Sequence, residues 1–364
     1  MKIRKQTVPT NSVDTKENGG AHNQIERENI VKHMNDKGFG RKMARATGIA
    51  ILGLGLAAQA VIAADGIPES EGAIKIVVAD NTGQLFQAYV LGRVLENTGY
   101  EVEYVAAGYY PQVQGLADGD LHMTTSLWSS NMGDGWLELF ESGQVLDAGE
   151  QKYAGIEAWY ANDKALEVCP GLDKDWSVLK DCAEAFATAE TFPKGRFLDY
   201  PIEWGTTNSQ RIAALDLPFA SQPSGSEGAI LSEIRAAEDR DEPLIVQFWS
   251  PNGIHAEVNL TAVPLPEYVE GCNTDASIGI NASATYDCDW PKARVWKAAW
   301  PGMETDYPVA LKVFQNFAVT GSQMAKVMQA VDTMDGDIHE YVDTWMVDNK
   351  SIWQAWVDDA MAGQ

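Results

Sequence analysis

Alternating strand and helix patterns place the strongest limit on the fold of this chain. Residues 74–80 form a β-branched apolar run, and residues 85–99 carry apolar side chains at helical spacing before a closing glycine. A second strand pattern follows at 101–108, and a further short helix and strand end at Trp128. The pattern therefore predicts an α/β fold in which helices connect parallel strands.

The middle and the end of the chain follow different patterns. Residues 224–249 predict an amphipathic helix and then a strand that ends near Trp249. Beyond about residue 303 the pattern is all-helical, because apolar helical runs alternate with polar or glycine breaks. Three tryptophans in these runs are interpreted as packing residues: Trp345, Trp353 and Trp356.

The first 63 residues read as an export segment. Residues 37–63 place Lys and Arg before an uncharged apolar stretch, which is typical of a secretory signal cleaved near Ala63. Met34 is a candidate start, which would leave residues 1–33 untranslated; a long signal region and a retained membrane anchor are the alternatives. We expect the mature protein to be periplasmic and monomeric.

The part of the chain that follows the signal is strongly acidic. The whole sequence has 27 Lys and Arg against 52 Asp and Glu; without residues 1–63 the counts are 17 and 47, a formal net charge of −30. Nucleic acids and anionic membranes need clustered basic side chains, so the composition excludes both as partners. About 300 residues remain, which suits one large domain or two medium ones.

Four cysteines form two pairs that are close in sequence. In an exported chain, disulfides are favoured over metal or catalytic roles, so we predict Cys169–Cys182 and Cys272–Cys288. The loop 272–288 is dense in Asp and Asn, and its oxygens are the ligands that calcium prefers. The candidate calcium ligands are Glu270, Asp275, Asp287 and Asp289. A plain surface loop is the alternative, and no other cofactor is expected.

Known catalytic signatures are missing from the sequence. It contains no GxSxG, HExxH, GxxxxGK[ST] or GxGxxG motif. We therefore expect a protein without enzymatic activity. A secreted hydrolase with an unrecognised acid pair is the alternative.

Three tryptophans share an unusual position at the edge of a loop. Trp128 and Trp249 end predicted strands, where open α/β sheets bind ligands, and Trp204 precedes a glycine turn. Aromatic faces attract a cation that has no N–H of its own. With Trp159 and Tyr153 nearby, these rings predict a cage for a small ligand with a methylated cationic nitrogen. An extracellular carbohydrate-binding module with a flat aromatic platform is the alternative.

Polar residues near the tryptophans are candidates for binding the rest of the ligand. Glu203 can serve as a counter-charge to the cation or, when protonated, as a single hydrogen-bond donor. A ligand that also carries a carboxylate needs several donors. The candidates for that role are Asn208, Asn252 and His255.

Three motifs make the sequence resemble a known family. The motifs and their spacing resemble those of glycine betaine/proline-type substrate-binding proteins of ABC transporters. They are GDLHMTTSLW, KGRFLDYPIEWGTTN and SGSEGAILSEIRAAEDRDEPLIVQFWSPN. The resemblance implies two α/β lobes, two hinge crossings and a ligand in the cleft. Ligands of the family include betaines, choline and trimethylamine N-oxide, and its partners are a permease and an ATPase. On this resemblance Trp128 belongs to the first lobe, and Trp204 and Trp249 belong to the second.

The resemblance also implies a division of the chain and has two departures. Residues 64–152 and 259–364 would form the first lobe, and residues 153–258 the second. The turn after the first strand, ADNTGQ, lacks the ring that some relatives carry there, so Trp159 or Tyr153 has to supply it. The Cys272–Cys288 loop is not general in the family and favours trimethylamine N-oxide over glycine betaine, choline or dimethylsulfoniopropionate.

Overall fold

A computed structural model describes residues 67–133, 135–205, 207–334 and 336–362. The predicted export segment at 1–63 lies outside these described residues. Within them, no helix combines the length and the apolar character needed to cross a membrane.

Nine strands in the described residues form one mixed sheet. They are β1 (Ile74–Val78), β2 (Val102–Ala106), β3 (Met123–Trp128), β4 (Leu146–Asn162), β5 (Gly195–Asp199), β6 (Phe219–Pro223), β7 (Ile245–Ser250), β8 (Leu260–Ala262) and β9 (Ala293–Ala299). Their order across the sheet is β2-β1-β3-β9-β4-β7-β5-β6, and β8 pairs with β4. The β1–β2 and β5–β6 pairs are parallel, whereas β9 is antiparallel to both of its neighbours.

Helices flank this sheet and connect its strands. They are α1 (Thr82–Thr98), α2 (Pro111–Asp118), α3 (Trp136–Glu141), α4 (Asp163–Val168), α5 (Leu179–Cys182), α6 (Asn208–Ala214), α7 (Glu227–Asp239), α8 (Met303–Asp306), α9 (Pro308–Asn316), α10 (Gly321–Met328), α11 (Ile338–Asp348) and α12 (Lys350–Ala362). The predicted helix at 85–99 begins three residues earlier, because the Asn81 side chain accepts a hydrogen bond from the Gln84 N–H at 2.8 Å and caps it. The all-helical end of the chain is confirmed.

Strand β4 joins the two lobes of the molecule. Its first part pairs with β9 as far as Gly155, and its last part pairs with β7 from Ile156 to Ala161. The first lobe has a core in which β1 and α1 pack against the C-terminal helices, including Phe86, Phe314 and Trp345. Two further apolar clusters lie in the second lobe, on β5 and β7. The predicted two-lobed α/β fold is confirmed.

The chain returns from the second lobe to the first later than we predicted. Strand β8 pairs with the last part of β4, and Val263 and Leu265 pack in the same cluster as Phe197. The Cys288 carbonyl oxygen accepts a hydrogen bond from Arg211 Nε at 2.8 Å. These contacts attach residues 260–290 to the second lobe, whereas the prediction had placed a first-lobe segment from residue 259.

Both predicted disulfides are present, and both belong to the second lobe. Cys169 is bonded to Cys182 and Cys272 to Cys288, with Cα atoms 5.5 and 6.5 Å apart. The second bond closes the Asp- and Asn-rich loop, which has little regular structure of its own. On the chain-entropy model, a disulfide that closes a loop of this length stabilises the folded protein by about 3 kcal/mol.

Candidate ligand-binding site

A cavity of about 110 Å³ lies between the lobes, and six aromatic residues contribute to its wall. The aromatic residues that line it are Tyr109, Trp128, Tyr153, Tyr200, Trp204 and Trp249. The three loop-edge tryptophans therefore line the same cavity, and their role in binding a ligand stays a prediction. Tyr153 lines it too, and the turn after β1 contributes Asp80 and Asn81 where some relatives carry a ring.

Three rings of the second lobe form one corner of the cavity. The centroids of Trp204 and Trp249 are 5.6 Å apart with an interplanar angle of 70°. Tyr200 lies 5.7 Å from Trp204 and 5.6 Å from Trp249, at 66° and 71°. Edge-to-face pairs of this kind are stabilising and expose ring faces in different directions. The rings therefore make a corner and not a flat platform.

The first lobe contributes Trp128 as the facing wall. The Trp128 N–H donates to the Tyr109 hydroxyl at 2.8 Å, so the end of β3 is fixed by a second aromatic residue of the same cavity. Gly155 on β4 lies against the Trp128 ring, and a Cβ atom at residue 155 would overlap the indole. Glycine is thus required at 155 for the ring to lie in its observed place.

Glu157 is the buried acid of the cavity. It lies on β4 opposite Trp249 of β7, and its side chain is 7% exposed. Burial raises the pKa of Glu157, and the hydroxyls of Ser130 and Tyr200 and the Arg211 charge partly offset this effect. The Oε2 atom is buried and has no hydrogen-bond partner among the described residues. A buried carboxyl with an unused oxygen can bind a ligand as an acceptor or, when protonated, as a donor.

Two further acids complete the charge pattern of the cavity. Glu203 lines it, as predicted, but is exposed to solvent, and Asp80 accepts a hydrogen bond from Trp204 Nε1 at 3.3 Å. No Lys or Arg is found among the cavity-lining residues that the structure describes. This excess of acids favours a cationic or neutral ligand over an anionic one.

Two of the predicted site residues lie in the core of the second lobe instead. Trp159 is 1% exposed and packs against Phe197, with ring centroids 4.6 Å apart. Its Nε1 donates to Asn208 Oδ1 at 2.7 Å, and the Asn208 amide donates to Asp199 at 2.6 Å. Neither residue lines the cavity, because the Trp159 ring packs against Phe197 of β5 and bonds to Asn208 of α6. Of the two predicted replacements for the missing ring, only Tyr153 is in place.

The other two predicted donors support the site from behind. The His255 ring N–H donates to the Trp249 carbonyl oxygen at 3.0 Å, and burial lowers the pKa of this histidine. Asn252 accepts a hydrogen bond from the Ile254 N–H at 3.1 Å and donates to Glu227 at 3.1 Å. Both residues therefore hold the turn that follows Trp249, and neither lines the cavity.

Sequence reasoning missed Tyr200 and Glu157. Tyr200 follows β5 directly and is four residues from Trp204, so its position at a strand end was a usable signal. Glu157 is a charged residue within an apolar strand, GIEAWYA, where a buried acid is unexpected. That mismatch indicated a functional acid better than the adjacency of Glu203 to a tryptophan did.

The acids of the disulfide loop are not grouped as metal ligands in the described residues. Among the described residues, no group of three or more His, Cys, Asp or Glu is arranged to hold a metal ion. Asp275 accepts hydrogen bonds from Ser277, and Asp287 is buried and accepts one from the Asn281 N–H. The calcium hypothesis for Glu270, Asp275, Asp287 and Asp289 therefore finds no support.

Comparisons with known proteins agree with this architecture. Residues 72–348 match the family model described as the substrate binding domain of an ABC-type glycine betaine transport system. The sequence is 28% identical over 296 residues to the trimethylamine N-oxide-binding protein of Pelagibacter ubique (strain HTCC1062), covering 78% of this chain and 90% of that protein.

Solved structures give the same fold. Lactococcal OpuAC in its closed, liganded conformation with glycine betaine matches with a TM-score of 0.61 at 16% identity, over 79% of this chain and 100% of that one. An ABC-transporter choline-binding protein in complex with choline matches with a TM-score of 0.63 at 18% identity, over 80% and 93%. The family model covers most of the described residues, so the chain belongs to the family of substrate-binding domains of ABC-type glycine betaine transport systems.

Proposed function

We propose that this protein binds a small methylated amine in the aromatic cavity between its lobes and delivers it to a membrane permease and ATPase. The observation that carries the proposal is the composition of the cavity wall: six aromatic rings and three acids, with no Lys or Arg among its described lining residues. The family consists of transport proteins and not of enzymes. The signal-like segment at 1–63 favours the periplasm as the site of action.

The energy available from the rings suits such a ligand. A desolvated cation–π contact contributes about 2 kcal/mol and an exposed one about 0.5 to 1 kcal/mol. Micromolar binding requires a free energy of about 8 kcal/mol, and Trp128, Trp204 and Trp249 together would supply a large part of it. A fully methylated nitrogen has no N–H group, so its burial among rings leaves no donor unsatisfied.

The polar side of the cavity favours trimethylamine N-oxide among the methylated amines. An N-oxide carries its oxygen directly on the caged nitrogen and needs one close donor, which protonated Glu157 would provide. A betaine carboxylate is a full negative charge, and the acids Asp80, Glu157 and Glu203 would oppose it. The relative from Pelagibacter ubique is named for trimethylamine N-oxide. Its similarity supports the same ligand here.

The position of the rings on both lobes links binding to closure. Trp128 ends β3, which pairs with β9 of the first lobe, whereas Trp249 lies on β7 of the second lobe and packs against Trp204. A ligand held by both sets of rings stabilises the arrangement in which the lobes are in contact. A permease that recognises this arrangement would receive only loaded protein.

A calorimetric panel tests the ligand class. We expect trimethylamine N-oxide to bind most tightly, choline and glycine betaine to bind more weakly, and proline not to bind. Glucose serves as the probe for a carbohydrate-binding module. Tight binding of glucose, or no binding of any methylated amine, would contradict the proposal.

The pH dependence of the same measurements tests Glu157. Because burial raises its pKa, the protonated donor is lost as pH rises, so the affinity for trimethylamine N-oxide should fall. The ionised carboxylate attracts choline, so the ratio of choline to N-oxide affinity should increase with pH. Glu157→Gln replaces the titratable carboxyl by a neutral amide and should make this ratio independent of pH. A ratio that changes equally in the variant would assign the effect to another group.

A further inference from the structure

Two carboxyl groups from opposite lobes meet at a single residue, Thr82. The Thr82 N–H donates to Glu227 Oε2 at 3.1 Å, and the Thr82 hydroxyl donates to Asp332 Oδ1 at 2.5 Å. Glu227 is the first residue of α7 in the second lobe, whereas Asp332 lies in the π-helical segment Gln329–Thr333 that follows α10 in the first. Contact between the lobes therefore brings the two acids together.

This contact is tight, with Glu227 almost fully buried and Asp332 half-buried. Gly253, next to the Glu227 partner Asn252, lies so close to the first lobe that a Cβ there would be 2.8 Å from the Gln329 nitrogen. Arg235 Nη2 of the second lobe also donates to the Asp332 carbonyl oxygen at 2.7 Å. The two acids thus lie in an interface between the lobes and not on an open surface.

One carboxylate oxygen of the pair has no hydrogen-bond donor among the described residues. Glu227 is 3% exposed, and both of its oxygens accept bonds from neutral donors, Thr82 and Asn252. Asp332 Oδ2 is buried and has no partner among the described residues. A proton on either acid would neutralise one of the two charges and remove the repulsion between two carboxylates.

Some charged groups around the pair raise the pKa values of the two acids, and others lower them. Burial raises the pKa of Glu227 to about 8, and the negative charges of Asp332 and Asp80 add to this shift. Burial also raises the pKa of Asp332, and Glu257 adds to it, while Arg235 and the Thr82 hydroxyl lower it. Among the described residues named here, Arg235 opposes these shifts, whereas burial and the neighbouring acids raise both pKa values, so the interface favours the protonated pair.

We infer that closure of the two lobes captures one proton between Glu227 and Asp332, so that ligand binding by the closed form is coupled to proton uptake. When the lobes separate, both carboxyl groups return to water, where such groups ionise near pH 4. The proton is then released together with the ligand. The pair lies outside the cavity lining, so its effect on affinity is indirect and independent of the ligand's head group.

The direction in which pH changes affinity follows from the protonation of the two acids in the open and in the closed form. Below about pH 4 the acids are protonated in both the open and the closed form, and closure does not depend on pH. Between that value and about pH 8, closure has to take up a proton, so affinity falls by up to tenfold per pH unit. Above about pH 8 the decline levels off.

Calorimetry with choline tests the inference, because this quaternary cation does not titrate. Titrations at about pH 7 in two buffers with different ionisation heats give the number of protons taken up per ligand. We expect the wild type to take up about one proton more than Glu227→Gln, which keeps the size of the side chain but holds no exchangeable acid proton. Asp332→Asn should behave in the same way and serves as a second variant if the first does not fold.

The matched control is Glu233→Gln on the same helix, which removes a surface acid paired with Arg196 at 3.0 Å. It should retain the proton uptake of the wild type. Equal uptake in the wild type and in both interface variants would overturn the inference.

A second measurement separates this inference from the proposed ligand, on which the calorimetry depends. Small-angle scattering of the unliganded protein needs no ligand: we expect its radius of gyration to increase between about pH 6 and pH 9 in the wild type and in the Glu233→Gln control. In Glu227→Gln the radius should not follow pH. A radius independent of pH in the wild type, or one that changes equally in Glu227→Gln, contradicts the coupling even if choline binds. Loss of choline binding alone contradicts only the proposed function.

Discussion

Trp249 in the cavity and Trp345 in the C-terminal helices are buried to nearly the same extent, 7% and 6% exposed, yet their surroundings differ. Trp345 packs edge-on against Phe86 at 5.8 Å and parallel to Trp356 at 6.4 Å, within the core of the first lobe. Trp249 packs against Phe248 and Trp204, but one side of it borders the cavity.

The difference shows that exposure alone does not identify a binding residue. A tryptophan in the middle of a packed helix has neighbours on all sides, so its ring contributes only to stability. A tryptophan at the end of a strand can leave one face uncovered, because the adjoining loop ends the layer that would cover it. The useful question for each buried ring is whether space remains beside it.

The largest expected effect is on stability and comes from the core residue. We expect Trp345→Ala to reduce the free energy of unfolding by about 3 to 5 kcal/mol, because truncation leaves a cavity in a packed core. The folded variant should bind ligand with nearly the wild-type affinity. Urea unfolding monitored by circular dichroism measures the first effect, and calorimetry at low temperature measures the second. A stable Trp345→Ala variant with weak binding would reverse the comparison.

Trp249→Ala should show the opposite balance. We expect affinity for the methylated amine to fall about 30-fold or more, equivalent to about 2 kcal/mol, through loss of one desolvated ring. The loss of unfolding free energy should be smaller than for Trp345→Ala, because one side of the ring already faces a cavity. Trp345→Ala is the matched control, since the same atoms are removed at equal burial. Affinity within about threefold of the wild type would make Trp249 a packing residue.

The fold was predictable because its signals are local. Apolar runs with β-branched residues marked β1 and β7, and helical spacing marked α1 and the C-terminal helices. The point in the sequence where the chain returns to the first lobe was not predictable from such local signals. Strand β8 is three residues long and the disulfide loop has no periodic pattern, so only tertiary contacts attach residues 260–290 to the second lobe.

The site was predictable where it depends on strand ends, and not where it depends on packing. Trp128, Trp204 and Trp249 shared a positional signal, whereas Trp159 shared only their residue type. Trp159 lies two residues beyond Glu157 on the same strand, so the two share a face of the sheet. Helix α6 covers only Trp159, and this coverage depends on how segments that are distant in sequence pack together.

The smallest expected effect comes from Gly155, which tests whether Trp128 belongs to the binding side of the comparison. Gly155→Ala should displace the Trp128 ring without removing it, because the new Cβ overlaps the indole. We expect about a fivefold loss of affinity, equivalent to about 1 kcal/mol, since a half-buried ring can move aside at moderate cost. Gly225→Ala is the matched control, because a Cβ at residue 225 would meet no atom within 4 Å. If affinity is unchanged in both variants, the Trp128 ring is not a binding wall, and the ligand is held by the other rings of the cavity.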